Sequence, residues 1–510
     1  MRLFAILALI LLPTHAAHAA WLEASSAHFV VYADDSKRDI QRFSEQLERY
    51  HAAIALVTGT NAEAPSPSNR VTVYVVRSDR DVRKLHGGDA KYLRGFYVPR
   101  AAGSLAIVPR VQVGSGKASY SMTILLHEYA HHFMASNSRF PMPRWMSEGS
   151  AEFFAAASFE RDGGVGLGRP AQIRANELFY GKNVTAEQLL DPDSYEESKS
   201  YDAFYGKAWL LYHYLSLGDE RKGQLLDYAR FLLAGKSQRE AALAAFGDFR
   251  QLETDLDRYL GKRRMVYLKL PPSLLETGPI RVRALSEGEA AMMPVKVRSR
   301  RGVTSEEAAE LVEEAREIAA RFPKDAAVLT ALAEAEFDSG NSERAVAAAD
   351  AALAIDPRQA NAYVQKGYAL FDLADQAEDT AAAYAMAREP FLQLNRLEND
   401  HPLPLLYNYL YYVEQGEEPP VLAVQGLERA SELAPFDLGL RMMLVMKQIQ
   451  LKQTEAARRN LIPIAFNPHG GSSAEFAQRI LEKLDNEPGW DGTSGLEAIA
   501  GEDGASLEGN

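Results

Sequence analysis

The 510-residue chain contains no cysteine. Disulfides, thiolate metal ligands, a thiol nucleophile and a lipid-modified N-terminal cysteine are therefore excluded. It also lacks a basic surplus. The formal net charge is −13 at pH 7, which argues against nucleic acid as a partner, because phosphate binding needs clustered cations. Two short basic runs, GKRR at Gly261–Arg264 and RSRR at Arg298–Arg301, read as solvated linker charge. Long apolar runs are missing apart from the N-terminus, so the mature chain is expected to have no membrane span. At the N-terminus Arg2 precedes an apolar run from Leu3 to Leu12, Pro13 breaks it, and Ala17–Ala19 offers small residues for cleavage. That pattern reads as a secretory signal peptide over residues 1–20 and predicts a periplasmic or secreted protein that starts near Trp21.

What is present falls into two parts, as expected for a chain too long for one core. From Trp21 to Leu270 the text is mixed. HFVVYA (His28–Ala33) and VTVYVV (Val71–Val76) are rich in β-branched and aromatic residues and read as strands. Between them Ile40, Phe43, Leu47, Tyr50 and Ile54 recur at helical spacing. LRGFYVP and GSLAIVP read as two further strands joined by a turn at Arg100–Gly103. A helix capped by Ser119 or Ser121 follows. After Glu148 the pattern is almost wholly helical to Leu270. Residues 271–285 read as a linker, so the two halves are expected to fold independently.

From Ser286 alanine, leucine and glutamate dominate, and prolines at 323, 357, 402, 435 and 468 each follow a helical stretch. Their spacing near 34 residues is that of stacked helix pairs. Ala345 and Ala352 precede Pro357 where paired helices must approach closely. Tyr363 and Gly367 open the next unit, and Ala423, Leu427 and Ala430 precede Pro435 in the same register. One longer step, of 45, implies an insertion around Ala374–Thr380. Over residues 286–482 the sequence resembles the tetratricopeptide (TPR) repeat family, which implies a solenoid that holds a protein partner or substrate in its groove. The aromatic run YNYLYY (Tyr407–Tyr412) reads as packing between helices. Residues 483–510 are acidic and rich in glycine and serine, and are expected to be a disordered tail.

The chemistry is concentrated in LLHEYAHHF, Leu125–Phe133. On a helix His127 and His131 share a face one turn apart, so both imidazoles can reach one ion. Glu128 leaves about 100° round from His127, which sets a carboxylate beside the ion as a general base. His132 is rotated by the same angle from His131 and reads as a packing residue. A catalytic metal needs a third protein ligand and an open position. PRWMSEGSAEFF (Pro143–Phe154) offers Glu148 on a new helix, with Glu152 one turn on, where its carboxylate can orient His127.

HEYAH with WMSEGSA resembles the gluzincin metallopeptidases of the peptidase MA clan, and the whole resembles exported bacterial peptidase-MA-like proteins with a C-terminal TPR array. The resemblance covers most of Trp21–Leu270. It implies an α+β zincin-like catalytic domain plus an all-α TPR solenoid. It implies one catalytic Zn2+ on His127, His131 and Glu148, with Glu128 as base and a peptide or protein as substrate. It also implies a tyrosine that stabilises the oxyanion. Tyr205 in FYGKAW lies in the matching region, with Tyr201 and Tyr212 nearby. The strand Ser104, Leu105, Ala106, Ile107 and Val108 is expected at the sheet edge, where a peptide adds as a further strand. The rival reading is a TPR scaffold carrying an idle zincin-like domain.

Overall fold

The computed structural model describes residues 21–60, 63–88, 93–111, 113–137, 140–195, 202–467, 470–487, 489–490 and 494. The expected signal peptide, Tyr201, Pro468 and nearly all of the tail beyond Glu487 lie outside the described residues.

Among the described residues ten strands form two sheets: β1 Leu22–Ser25, β2 Phe29–Ala33, β3 Val71–Val76, β4 Phe96–Val98, β5 Leu105–Pro109, β6 Gly116–Lys117, β7 Ser158–Phe159, β8 Val165–Leu167, β9 Leu268–Leu270 and β10 Arg281–Ala284. The larger sheet has the order β10-β1-β2-β3-β5-β4, and the smaller runs β6-β7-β8-β9. β2, β3 and β5 are parallel, so β2 and β3 need a crossover. Helix Lys37–Thr58 supplies it, started by the Ser36 side chain and stopped at Gly59, whose φ of 68° suits glycine. Its Ile40, Phe43, Leu47, Tyr50 and Ile54 pack on Val31, Val73, Ala106 and Val108. The alternate residues Tyr32, Tyr74, Leu105 and Ile107 point to the other face. Met293 and Val297 of helix Glu287–Arg301 cover them.

Several expectations need correcting here. β5 is not the edge strand. It pairs with β3 on one side and β4 on the other, and all five of its residues are buried, so its ladder is full. Ser104 is buried too and bonds Arg100. The outer strand is β4. Residues 271–285 are not a linker: β10 completes the larger sheet against β1. The stretch after Glu148 is not all helix, because the β7–β8 hairpin and β9 interrupt it. RSRR is not solvated linker charge. It closes helix Glu287–Arg301, where Arg298 pairs with Glu314, Arg300 with Glu334 and Arg301 with Glu307. GKRR is exposed, as expected.

Helices from Glu287 to Asn486 stack as antiparallel pairs, giving a helical-repeat array. Ala345, Ala352, Leu427 and Ala430 are fully buried between helices, and Gly367 lies against the Phe391 ring. Most of the extra length in the 45-residue step lies in longer helices, with little added between them near the expected insertion at Ala374–Thr380. Ala360–Asp375 and Thr380–Leu397 have 16 and 18 residues, against 13 and 14 in the preceding pair. Residues 483–486, read as tail, continue the last helix, Gly471–Asn486. The array docks on the mixed half through the ends of several helices. Asp437, the cap of helix Leu438–Gln450, accepts from Ala101 N at 2.9 Å, and Leu433 O accepts from Asn69 Nδ2 at 2.6 Å. No helix among the described residues is long and apolar enough to cross a membrane.

Candidate metal centre

Helix Tyr120–Asn137 carries the histidines. Ser119 caps it, with its hydroxyl accepting from Met122 N. Leu125, Leu126, Tyr129, Ala130 and Phe133 are buried in the main core. Tyr50 donates to Leu126 O at 3.0 Å, which ties the helix to the crossover helix. This anchoring leaves His127, Glu128 and His131 on the less buried side. Helix Arg144–Ala155 starts after Pro143 and buries every residue from Trp145 to Ala155. It can lie that deep because Gly149 has no side chain. A Cβ there would come within 2.4 Å of Ala208 O on helix Phe204–Leu217.

The two helices bring three donor atoms together. His127 Nε2 lies 3.1 Å from His131 Nε2. Each is 3.5 Å from Glu148 Oε2. A four-coordinate zinc with arms of about 2.0–2.2 Å needs donor–donor edges of about 3.3–3.6 Å. The triangle fits one face of that tetrahedron, and imidazole with carboxylate suits zinc. Among the described residues these three form the group able to hold a metal ion.

Further polar groups hold the donors. His127 Nδ1 is 3.1 Å from Glu152 Oε1. Glu152 in turn accepts from Arg174 at 2.5 Å, and Arg174 also pairs with Glu177 at 2.6 Å. Ser147 Oγ sits 3.3 Å from His131 Nδ1, placed to accept its proton in the tautomer that leaves Nε2 available. Burial works against charge on His127, yet its hydrogen bonds to Glu148 and Glu152 outweigh it and lift the imidazole to about 10. Burial alone would raise Glu152, but His127 and then Arg174 bring it down to about 2. The ring therefore sits in a negative field that favours a cation, whether a proton or a metal ion in its place.

Glu128 lies on the wall of a cavity of about 380 Å³ with His131, His132 and Tyr97. Burial drives the His132 imidazole down to about 3. It bonds the Tyr97 hydroxyl at 2.5 Å and packs against Phe436 at 4.6 Å between ring centres. It thus joins the motif helix, β4 and the array. Tyr205 is half-buried under Arg174, whose guanidinium lies 4.8 Å from its ring centre. Burial and then the nearby Glu148 charge push its phenol up. Tyr212 is buried against Phe153 and Phe154. Sequence reasoning missed Ser147, Arg174 and Tyr97. Ser147 was findable beside Glu148 in WMSEGSA; the other two carry no local signal.

The family described as "Protein of unknown function (DUF1570)" matches residues 121–236, a span that includes His127, Glu128, His131, Glu148, Glu152 and Tyr205. No curated protein matches the chain. Among solved structures, a thermophilic TPR protein of Thermus thermophilus is similar. It has 18% identity and a TM-score of 0.30, covering 34% of this chain and 91% of that one.

Proposed function

We propose that the chain is a zinc-dependent peptidase of gluzincin type, with His127, His131 and Glu148 as metal ligands and Glu128 as general base. The observation that carries this reading is the donor triangle of 3.1, 3.5 and 3.5 Å, with Glu128 beside it on the wall of a cavity. A bound zinc supplies Lewis-acid polarisation of a water and of the substrate carbonyl. Glu128 accepts the water's proton on a carboxylate oxygen and passes it to the departing amine nitrogen. Glu152 and Ser147 hold the imidazoles by their Nδ1 atoms so that both Nε2 atoms converge. Tyr205, close enough to Glu148 for its phenol to respond to that charge, is the hydroxyl assigned to the developing oxyanion. The outer strand β4 offers the edge along which an extended peptide pairs. The array holds the substrate or a partner protein.

The test is hydrolysis of casein and a peptide mixture by purified wild-type, Glu128→Gln and His131→Ala chains, with zinc measured on each. Wild type should carry about one zinc and cleave. Glu128→Gln should keep its zinc and lose at least about a hundredfold in rate, and His131→Ala should lose the zinc. Activity retained by Glu128→Gln, or stoichiometric zinc retained by His131→Ala, overturns the assignment. A wild type that cuts nothing but captures a partner protein would favour the scaffold reading.

A further inference from the structure

The cavity beside Glu128 is built from both halves of the molecule. Met134 and Met142 of the mixed half line it together with Phe436, Leu438, Pro463 and Phe466 of the array. We infer that the array forms the specificity wall of the cleft, where these four side chains receive one large apolar side chain of the peptide beside the scissile bond. The inference rests on the peptidase reading of the same site.

Three observations carry it. The first is continuity, because Glu128 and His131 line the same cavity as the array residues. A peptide bond presented to Glu128 therefore has its adjacent side chain within that space. The second is chemistry. Among the described residues lining the cavity, the ionisable side chains are Glu128, two histidines and the Tyr97 phenol, with no lysine or arginine. A carboxylate entering it would lose water and find no lysine or arginine among those residues to pair with. A Leu or Phe side chain would only exchange water for apolar contact, and the two methionines adapt to either shape. At about 380 Å³ the space is near the small end of the range for ligand pockets, about 300–1,000 Å³, which suits one side chain with its backbone. The third is rigidity. Phe436 packs on His132, and the next residue, Asp437, accepts from Ala101 N at 2.9 Å. The Ser68 hydroxyl and amide both bond Glu398. The wall is thus fixed to the mixed half at Phe436 and Asp437, with a further tie at Glu398.

The test uses the full-length Glu128→Gln chain loaded with zinc, which binds without turnover. Two blocked hexapeptide mixtures, with Leu or Asp fixed at one central position, are titrated by calorimetry. The Leu mixture should bind about tenfold or more tighter, the scale of removing one such side chain from water. Adding Leu438→Ser and Phe466→Ser should cut that preference at least about fivefold, and Phe466→Leu should preserve it. Should the double variant fail to fold, Phe466→Arg serves instead, and the preference should move towards Asp. Equal binding of the two mixtures, no binding of either, or a preference indifferent to the wall substitutions overturns the inference. The wild-type chain separates this result from the peptidase reading. If it cuts Leu and Asp mixtures at equal rates, the enzyme stands and the wall falls. If it cuts neither while Glu128→Gln shows the preference, the wall stands and the enzyme falls.

Discussion

Helix Arg144–Ala155 and helix Ser342–Ile355 are close in length, at 12 and 14 residues, but are buried by different rules. The first is covered on every side, with Glu148 and Glu152 inside. The second buries only a stripe of small residues, Ser342, Ala345, Ala348, Ala349 and Ala352. A stripe is what a repeat helix needs to lie between two neighbours. A helix sunk all round must account for each charge it takes inside. Glu148 meets two histidines, and Glu152 meets a histidine and an arginine. Of these two helices, only the one in the candidate metal centre takes carboxylates fully inside, with structural support arranged around them.

That contrast is broken most severely by truncation. A chain ending at Leu270 loses β10, which pairs with all four residues of β1, and the helix that covers Tyr32, Tyr74 and Ile107. It should aggregate or lack cooperative unfolding, whereas a chain ending after Arg301 should recover solubility. Size-exclusion chromatography and circular dichroism melts of both fragments check this. A folded, monomeric 21–270 fragment would show that the halves are separable after all.

A smaller effect sharpens the comparison by making one change in both settings. In Gly149→Ala the new methyl would meet the Ala208 carbonyl, which is backbone and cannot turn aside. The overpacking should cost about 1–3 kcal/mol and displace Glu148, weakening zinc retention in competition with a chelator. In Gly367→Ala the methyl would meet the Phe391 ring in the array. Urea unfolding should reveal a loss there too, with zinc retention unchanged. If both variants release zinc alike, the array is not mechanically distinct from the site.

The smallest effect concerns Asp338, at the end of helix Ala326–Asp338. Burial and then the Glu334 charge raise its carboxyl from the ordinary range to about 7. A raised folded value means that the native state holds this proton more tightly than the unfolded chain. Its contribution to stability should therefore fall as pH rises from about 4 to 7 and stay low above that. Asp338→Asn should remove the slope and raise Tm at pH 8 by roughly a few degrees, with little change at pH 4. Thermal melts across that range test the sign. A variant less stable than wild type at pH 8 would mean that the carboxylate is satisfied in the fold.

The same contrast explains what the sequence revealed. The spacing of His127 and His131 is a property of one helix, and Pro323, Pro357 and Pro435 punctuate each repeat locally. Both were legible. β5 as an interior strand was not, because an edge is defined by what else joins the sheet, and β4 supplies only three residues to cover it. β1 and β10 are four residues each, and β10 is largely exposed and arginine-rich, so neither alternates strongly enough to read. Arg174 reaches Glu152 from a helix that nothing near HEYAH announces. Tyr97 meets His132 because β4 lies beside the motif helix, and Phe436 meets it only because two halves dock.

The pairing of β1 with β10 also has a kinetic side. Glu23 and Arg283, bonded across these strands, are 260 residues apart in the chain. Contacts that distant close late, and topologies rich in them fold slowly. During synthesis, β1 emerges with β2 as its sole partner, and its other edge stays open until the chain has passed residue 284. For that interval the larger sheet is a template for mispairing. The chain thus depends on being kept apart from its copies until β10 and the covering helix arrive together.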